Sequence, residues 1–370
     1  MRIFNYQNRA GHRSALLMAG LVLLTTALVF ALSGCEQQTP QSVSATDFAL
    51  GTTCSVKLFG QKNQQYLEPA LDIAGEVEAR MSAHTEDSEV ARINRNAGNS
   101  AAAVSQETFA LVARAKEFSQ LSEGIFDLSV GPLVELWDIG SGEESVPSPD
   151  ALSAALEKVD YREVQLIPAD ESEGSQPKVR LEEAGMRLDL GAIAKGYAAD
   201  RIVEFLKSRG VGYGIVNLGG NVYAFGQKHN TTKWKIGIQS PDDERGSYIG
   251  VIELIDKAVV TSGKYERYFV EDGTRYHHIL STADGYPIEN ELASVSIVSA
   301  DATEADALST LVFGLGLRKG IEFTEQREGI EAILVTEDNT VFTTTGLRTS
   351  FELTDKDFKR GESRQLLSLR

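Results

Sequence analysis

Asp306 and Thr310 stand four residues apart in Ala305-Asp306-Ala307-Leu308-Ser309-Thr310. On a helix that spacing puts both on one face. A carboxylate beside a hydroxyl is an all-oxygen pair, suited to a hard cation such as Mg²⁺ rather than to zinc. Ser309 adds a neighbouring hydroxyl. Such a pair also occurs as a plain solvated face or a helix cap. A second cluster is Asp189-Leu190-Gly191-Ala192-Ile193-Ala194-Lys195-Gly196-Tyr197. It reads as a strand end, a small-residue turn and a helix start. Small residues let a ligand approach the backbone, and a helix start offers unpaired N–H groups to a phosphate. Lys195 falls in that first turn, where the helix dipole disfavours a cation. The placement suits an anionic ligand; a surface lysine on an ordinary turn is the plain alternative. The spacing is not that of a P-loop.

Two further groups carry less information. His277 and His278 are adjacent on a predicted strand, so they face opposite sides and at most one faces a given site. An imidazole is a base near neutral pH, but one core histidine and one exposed histidine would give the same sequence. The histidines supply no recognisable zinc set. Val216-Asn217-Leu218-Gly219-Gly220 reads as a strand broken at a bulge or a close backbone approach. Gly212 and Gly214, like Gly314 and Gly316, make no dinucleotide fingerprint, because no helix of the right phase follows. A Ser-His-Asp or Cys-His arrangement is not evident.

The elements that must hold these residues follow from periodicity. Tyr66–Met81, a short stretch opened by Ser88, and Ser105–Leu121 have helical spacing, with Ser88 and Ser105 as caps. Residues 141–150 read as loop, and Pro149 opens another helix through Leu156. Strands are expected at 164–167, 178–181 and 187–190, then a helix at 193–207. More strands are expected at 214–225, 234–239, 249–255, 267–270 and 293–300, a helix at 301–315, and a hairpin at 332–344. Helices come first and antiparallel-looking strands follow with two helices inserted. That order predicts an α+β fold rather than a doubly wound sheet.

Composition sets the outer bounds. With 370 residues, 42% apolar and 24% charged, the chain can bury a large core without disulfides. Its two cysteines, Cys35 and Cys54, exclude a disulfide scaffold and a four-cysteine zinc site. A net charge of −17 argues against nucleic acid as a partner. The N-terminus carries Arg2, Arg9 and Arg13, then 18 uncharged residues from Ala15 to Leu32, then Ser33-Gly34-Cys35. That is the layout of an export signal; a retained membrane anchor is the alternative. Leu32-Ser33-Gly34-Cys35 resembles the lipobox of bacterial lipoproteins. The resemblance implies a signal peptide at 1–34 and lipidation of Cys35. A polar tether at 35–46 and a domain at 47–370 are then expected, with Cys54 a buried, inert thiol.

Taken in order, several blocks resemble the ApbE family, the FAD:protein FMN transferases. They are Leu50-Gly51-Thr52, Met81 through Asn94, Phe126 through Leu133, Asp189 through Tyr197, Val216 through Gly220, Thr261-Ser262-Gly263, Tyr265 through Tyr268, His277-His278-Ile279 and Ala305 through Thr310. The resemblance implies two intertwined α/β subdomains, similar to a T-fold, with FAD between them. It implies Mg²⁺-dependent transfer of FMN from FAD to a threonine of a target protein, with release of AMP. Targets of the family include subunits of sodium-pumping NADH:quinone oxidoreductase and related electron-transport complexes. Carried over, Asp306, Thr310 and the Ala192 carbonyl match metal ligands, with Ser309 beside them. Leu50, His84, Ile125, Phe126, Asp127, Asp189, Lys195 and Leu280 match FAD contacts. His278 is the expected base on the threonine hydroxyl, with His277 second. Such a protein would sit lipid-anchored on a bacterial membrane, facing the periplasm.

Overall fold

In the computed structural model, the described residues are 41–370 apart from 171, 173, 228–231, 242–245, 364, 365 and 367–370. The expected signal segment and Cys35 lie outside them. Nine strands form the large sheet: β1 Ser42–Ala49, β2 Thr52–Phe59, β3 Gly214–Leu218, β4 Asn221–Phe225, β5 Lys257–Gly263, β6 Leu292–Ser299, β7 Glu331–Thr336, β8 Thr340–Thr343 and β9 Lys359–Arg360. Their order across the sheet is their order along the chain. Neighbours pair antiparallel except β8 and β9, which are parallel.

Alternation gives each strand two duties. Ala258, Val260, Val295, Ile297, Ala332 and Leu334 face one core; Val259, Val298, Ile333 and Val335 face another. Helices α1 Leu67–Met81, α2 Glu89–Arg95, α3 Gln106–Leu121, α6 Ala194–Ser208 and α7 Ala302–Glu325 join the first core, whereas α4 Gly131–Trp137 and α5 Pro149–Leu156 pack together in a separate cluster around Leu133, Trp137, Leu152 and Leu280. The second face packs on a small sheet of 234–239, 248–254 and 351–353. Ser88, Ser105 and Ser148 cap α2, α3 and α5, each accepting a backbone N–H three residues on. The chain is α+β, as expected.

The close junction of α6 with α7 fixes the geometry of the site. A Cβ on Gly196 would lie 2.1 Å from the Ala302 carbonyl oxygen, so only glycine lets the helices meet there. Asp200 of α6 ties the junction. Its carboxylate accepts from the N–H groups of Ala302 (2.9 Å) and Thr303 (2.8 Å) and from the Thr303 hydroxyl (2.6 Å). Burial still pushes the Asp200 pKa up to about 6, against the pull of those hydrogen bonds.

Several boundaries differ from expectation, each for a visible reason. The tether was expected to reach residue 46, yet 42–46 belong to β1, paired in register with 55–59. This edge strand is mostly exposed and directs only Val43, Ala45 and Ala49 inward, so its polar sequence hides it. The expected strand at 187–190 is extended loop: Asn94 takes the place of a strand partner, its side-chain amide bonding Leu188 N–H (2.7 Å) and Leu188 C=O (3.0 Å). Residues 214–225 form a hairpin rather than one broken strand. Gly219 and Gly220 make the turn with φ of 63° and 102°. β5 escapes notice because its short stretch is apolar toward both cores. The last helix continues beyond residue 315 through a kink at Gly316, where Glu291 accepts the Leu317 N–H at 3.0 Å.

The Gly196 approach yields a paired prediction. Gly196→Ala should lower unfolding free energy by about 2 kcal/mol or more, because backbone must move. Gly75→Ala in α1, where a Cβ meets nothing within 4 Å, should raise it by about 0.5–1 kcal/mol. Urea unfolding of both variants checks this; equal, small effects would remove the steric argument.

Candidate active site

A cleft of about 650 Å³ opens on the helical side of the large sheet. The structure brings into its lining Leu50, His84, Ile125, Phe126, Asp127, Asp189, Ala192, Lys195, His278, Leu280, Asp306 and Thr310. Two hairpin turns reach it, Leu50-Gly51 between β1 and β2 and Gly219-Gly220 between β3 and β4. Leu50 is held at φ 55°, an uncommon conformation for a branched side chain. Its packing against the core offsets that strain. His84 is exposed where it borders the cleft, and Leu280 is nearly buried.

Asp306 is held at both of its carboxylate oxygens. It is buried, and Gly196 N–H donates to its Oδ2 at 2.8 Å while the Asn221 side-chain amide donates to its Oδ1 at 2.9 Å. Lys195 Nζ stands 3.9 Å from Oδ1 and donates to the Gly191 carbonyl at 3.2 Å. A buried carboxylate needs such partners. Each oxygen keeps a further lone pair. Asp189 accepts the Gly191 N–H at 2.7 Å and so shapes the turn that carries Ala192 into the cleft.

The hydroxyls beside Asp306 divide. Thr310 lines the cleft, and its Oγ1 is 3.3 Å from Ser262 Oγ. Ser309 was expected beside the metal ligands, but it is fully buried and donates back to the Asp306 carbonyl at 2.8 Å. Its hydroxyl also meets Ser262 at 2.7 Å. Three-residue back-bonding turns it along its own helix. Ser262 and Thr261 line the cleft from β5, the strand that periodicity did not reveal.

No group of three or more His, Cys, Asp or Glu side chains able to hold a metal occurs among the described residues. The donor set of Asp306, Thr310 and the Ala192 carbonyl is nevertheless all oxygen. It fits a hard cation that draws the rest of its shell from water and substrate phosphate, as Mg²⁺ commonly does.

The two histidines separate by environment. His277 is buried away from the cleft lining; its Nε2 lies 3.1 Å from the Ile288 carbonyl, and its Nδ1 accepts the Ile279 N–H at 3.3 Å. With both nitrogens occupied, His277 has no lone pair to offer a substrate, which corrects its expected role as second base. Burial lowers its pKa to about 4. His278 is half-buried and lines the cleft. Its Nδ1 lies 3.2 Å from the Arg267 carbonyl, so the N–H sits on Nδ1 and the lone pair on Nε2. Desolvation first, then the positive charges of Arg267 and Lys195, lower its pKa to about 3 against the opposing hydrogen bond to Arg267. Asp127 was expected to touch FAD, yet its carboxylate is committed to the protein. It accepts from Ser129 N–H (2.8 Å), Ser129 Oγ (2.7 Å) and Tyr161 N–H (3.1 Å). Burial raises its pKa.

His277 has a consequence for acid stability. The unfolded chain takes up a proton near pH 6.5, whereas the folded chain resists until about pH 4. The unfolded state therefore binds more protons in that window, and stability falls as pH drops through it. The expected contribution is about 3 kcal/mol. Urea unfolding at pH 7.5 and pH 4.5 should show a smaller loss in His277→Asn than in the parent; an equal loss would contradict the assignment.

Comparison with known proteins gives consistent matches over most of the chain. Residues 50–334 match the model of the ApbE family. A protein of Treponema pallidum named FAD:protein FMN transferase is 36% identical over 327 residues, covering 85% of this chain and 90% of its own length. One of Klebsiella pneumoniae with the same name is 38% identical, covering 84% and 94%. The crystal structure of the ApbE protein from Thermotoga maritima superposes with a TM-score of 0.77 at 34% identity, covering 85% of this chain and 100% of that one. The flavinyl transferase ApbE of Pseudomonas stutzeri gives 0.72 at 30%, covering 84% and 97%. With matching residues spanning most of the described fold and converging on one cleft, the chain belongs to the ApbE family.

Proposed function

We propose that the protein transfers FMN from FAD to a threonine hydroxyl on an exported acceptor protein and releases AMP. The observation that carries this is the Asp306–Lys195 couple beside the start of α6, in a cleft large enough for a dinucleotide. Relatives that align over nearly their whole length bear the name FAD:protein FMN transferase.

The residues divide the work. Lys195 and the N-terminal turn of α6 favour negative charge, so they hold the pyrophosphate and stabilise charge building on AMP as it departs. Asp306, Thr310 and the Ala192 carbonyl would hold Mg²⁺, which when bound neutralises phosphate charge. Leu50, Ile125, Phe126 and Leu280 supply apolar surface for the flavin and adenine rings, while Asp189 fixes the turn against the phosphates. His84 contributes from the cleft border, and Asp127 from the loop it stiffens. His278 Nε2 takes the proton of the acceptor threonine. The threonine oxygen then bonds to the phosphorus of the FMN half, and the bond to AMP breaks. Burial keeps His278 neutral at physiological pH, so its Nε2 lone pair is free, as a weaker base than an exposed imidazole.

Acceptors of this chemistry include threonine-bearing subunits of sodium-pumping NADH:quinone oxidoreductase and related electron-transport complexes. The lipobox-like Leu32-Ser33-Gly34-Cys35 supports lipid attachment at Cys35 and a periplasmic position on a bacterial membrane. No helix among the described residues is long and apolar enough to cross a membrane.

Two variants test the assignment with FAD, Mg²⁺ and an acceptor domain. Asp306→Asn should cut AMP release and covalent flavin by about 100-fold or more while the unfolding transition stays cooperative. Undiminished transfer would remove Asp306 from the reaction. His278→Ala should slow transfer by about 100-fold or more with FAD still bound. For the parent protein, the acidic limb of kcat/KM should fall well below the ordinary histidine pKa. A limb near 6.5 that persists in His278→Ala would assign the base elsewhere.

A further inference from the structure

The gap between the large sheet and the 234–239/248–254/351–353 sheet is not filled throughout. Trp234, Ile238, Ile252 and Phe351 pack one part of it. Beside the Gly219-Gly220 turn it opens into a second cavity of about 390 Å³. Thr53, Gly219, Thr261 and Glu266 line both this cavity and the cleft, so the two adjoin. Ser55, Asn217, Val222 and Val259 cross its floor as directly paired neighbours on β2, β3, β4 and β5.

The opposite wall is a strand edge. Ile236 and Gly237 both border the cavity, Gly237 necessarily through its backbone. They belong to strand 234–239, which is the edge of its sheet among the described residues. An edge strand offers main-chain donors and acceptors to an added extended segment. Tyr248, 52% exposed, forms part of the wall next to Gly237, where a Cβ would already lie 3.2 Å from the tyrosine. None of the described lining residues is Lys or Arg, which suits neither a phosphate nor a second nucleotide. Apart from the Glu266 carboxylate at the junction, the described lining is hydroxyls, amides, apolar groups and glycine backbone, which suits uncharged peptide.

We propose that this cavity receives the acceptor protein. An extended, uncharged segment would run along the edge at 234–239 and pass its threonine hydroxyl through the junction at Thr53, Gly219 and Thr261 toward the Asp306–Lys195 couple. The inference rests on the flavin-transfer reading and adds where the second substrate enters. With FAD in the first cleft, the hydroxyl must come from a side that the dinucleotide leaves open, and Thr53, Gly219 and Thr261 mark where a second cavity meets that cleft.

The test uses the protein, FAD, Mg²⁺ and an acceptor domain. Ser55→Trp fills the cavity without touching the cleft lining. It should raise the acceptor KM by about tenfold or more while FAD affinity, read by flavin fluorescence quenching, stays unchanged. Tyr248→Ala, at an exposed position, tests the same wall if Ser55→Trp does not fold, and should raise KM by a few-fold. A benzophenone amino acid at position 248 should cross-link the acceptor peptide that carries the flavinylated threonine. An unchanged acceptor KM in either folded variant, or cross-links that miss that peptide, would overturn the cavity assignment. Failure of the parent protein to place covalent flavin on any acceptor while still binding FAD would instead overturn the flavin-transfer reading, and this proposal with it.

Discussion

The site depends on one close approach of two helices. α6 carries Lys195 and Gly196 in its first turn; α7 carries Asp306 and Thr310. Because residue 196 has no side chain, its N–H reaches the Asp306 carboxylate at 2.8 Å while the Ala302 carbonyl lies just beyond where a Cβ would stand. Asp200, one turn on from Gly196, ties the start of α7 to the same helix. The contact therefore places a carboxylate, an ammonium group and a helix N-terminus together. Any one of these is common, and the three together at the floor of a cleft are what the proposed pyrophosphate and its cation would require.

The large sheet provides the rigid support for that junction. Its strands follow chain order, so each hairpin tip has a fixed neighbour, and the tips at Leu50-Gly51 and Gly219-Gly220 both reach the cleft. Asn221, the residue after the second tip, donates to Asp306. The sheet and the two helices thus meet at a single carboxylate. On the other face the small sheet leaves room beside the same Gly-Gly turn, so the backbone of that turn lies between two cavities. A group-transfer site needs two substrates to meet, and a thin glycine turn is a wall across which they can.

Much of the site could be read from the sequence because its residues occur in short local runs. Asp306 and Thr310 share a helix, and Asp189 through Lys195 form one turn, so spacing alone grouped each run. Spacing could not show that the runs meet, since that depends on Gly196 fitting under Ala302. The sequence also could not separate His277 from His278. Both are adjacent imidazoles, and only their hydrogen bonds, to Ile288 and Ile279 for one and to Arg267 for the other, reveal which keeps a lone pair for the cleft. Ser309 misled for a similar reason, because its hydroxyl turns back along α7. β1 and β5 were obscure at opposite extremes: β1 is a polar edge whose first inward residues, Val43 and Ala45, are small and only half-buried, and β5 is buried on two faces and does not alternate. Asn94 acting as a strand partner to Leu188 is a tertiary device with no local signal.

The most direct measurement is the stoichiometry of a single reaction. The protein is mixed with FAD, Mg²⁺ and an excess of a threonine-bearing acceptor domain; AMP is quantified, and flavin is measured on the denatured acceptor. The account predicts one AMP for each flavin covalently attached, with little free FMN. AMP and free FMN without covalent flavin would make water the acceptor and contradict the transferase account. FAD left intact beside a competent acceptor would contradict any reaction at the Asp306–Lys195 couple.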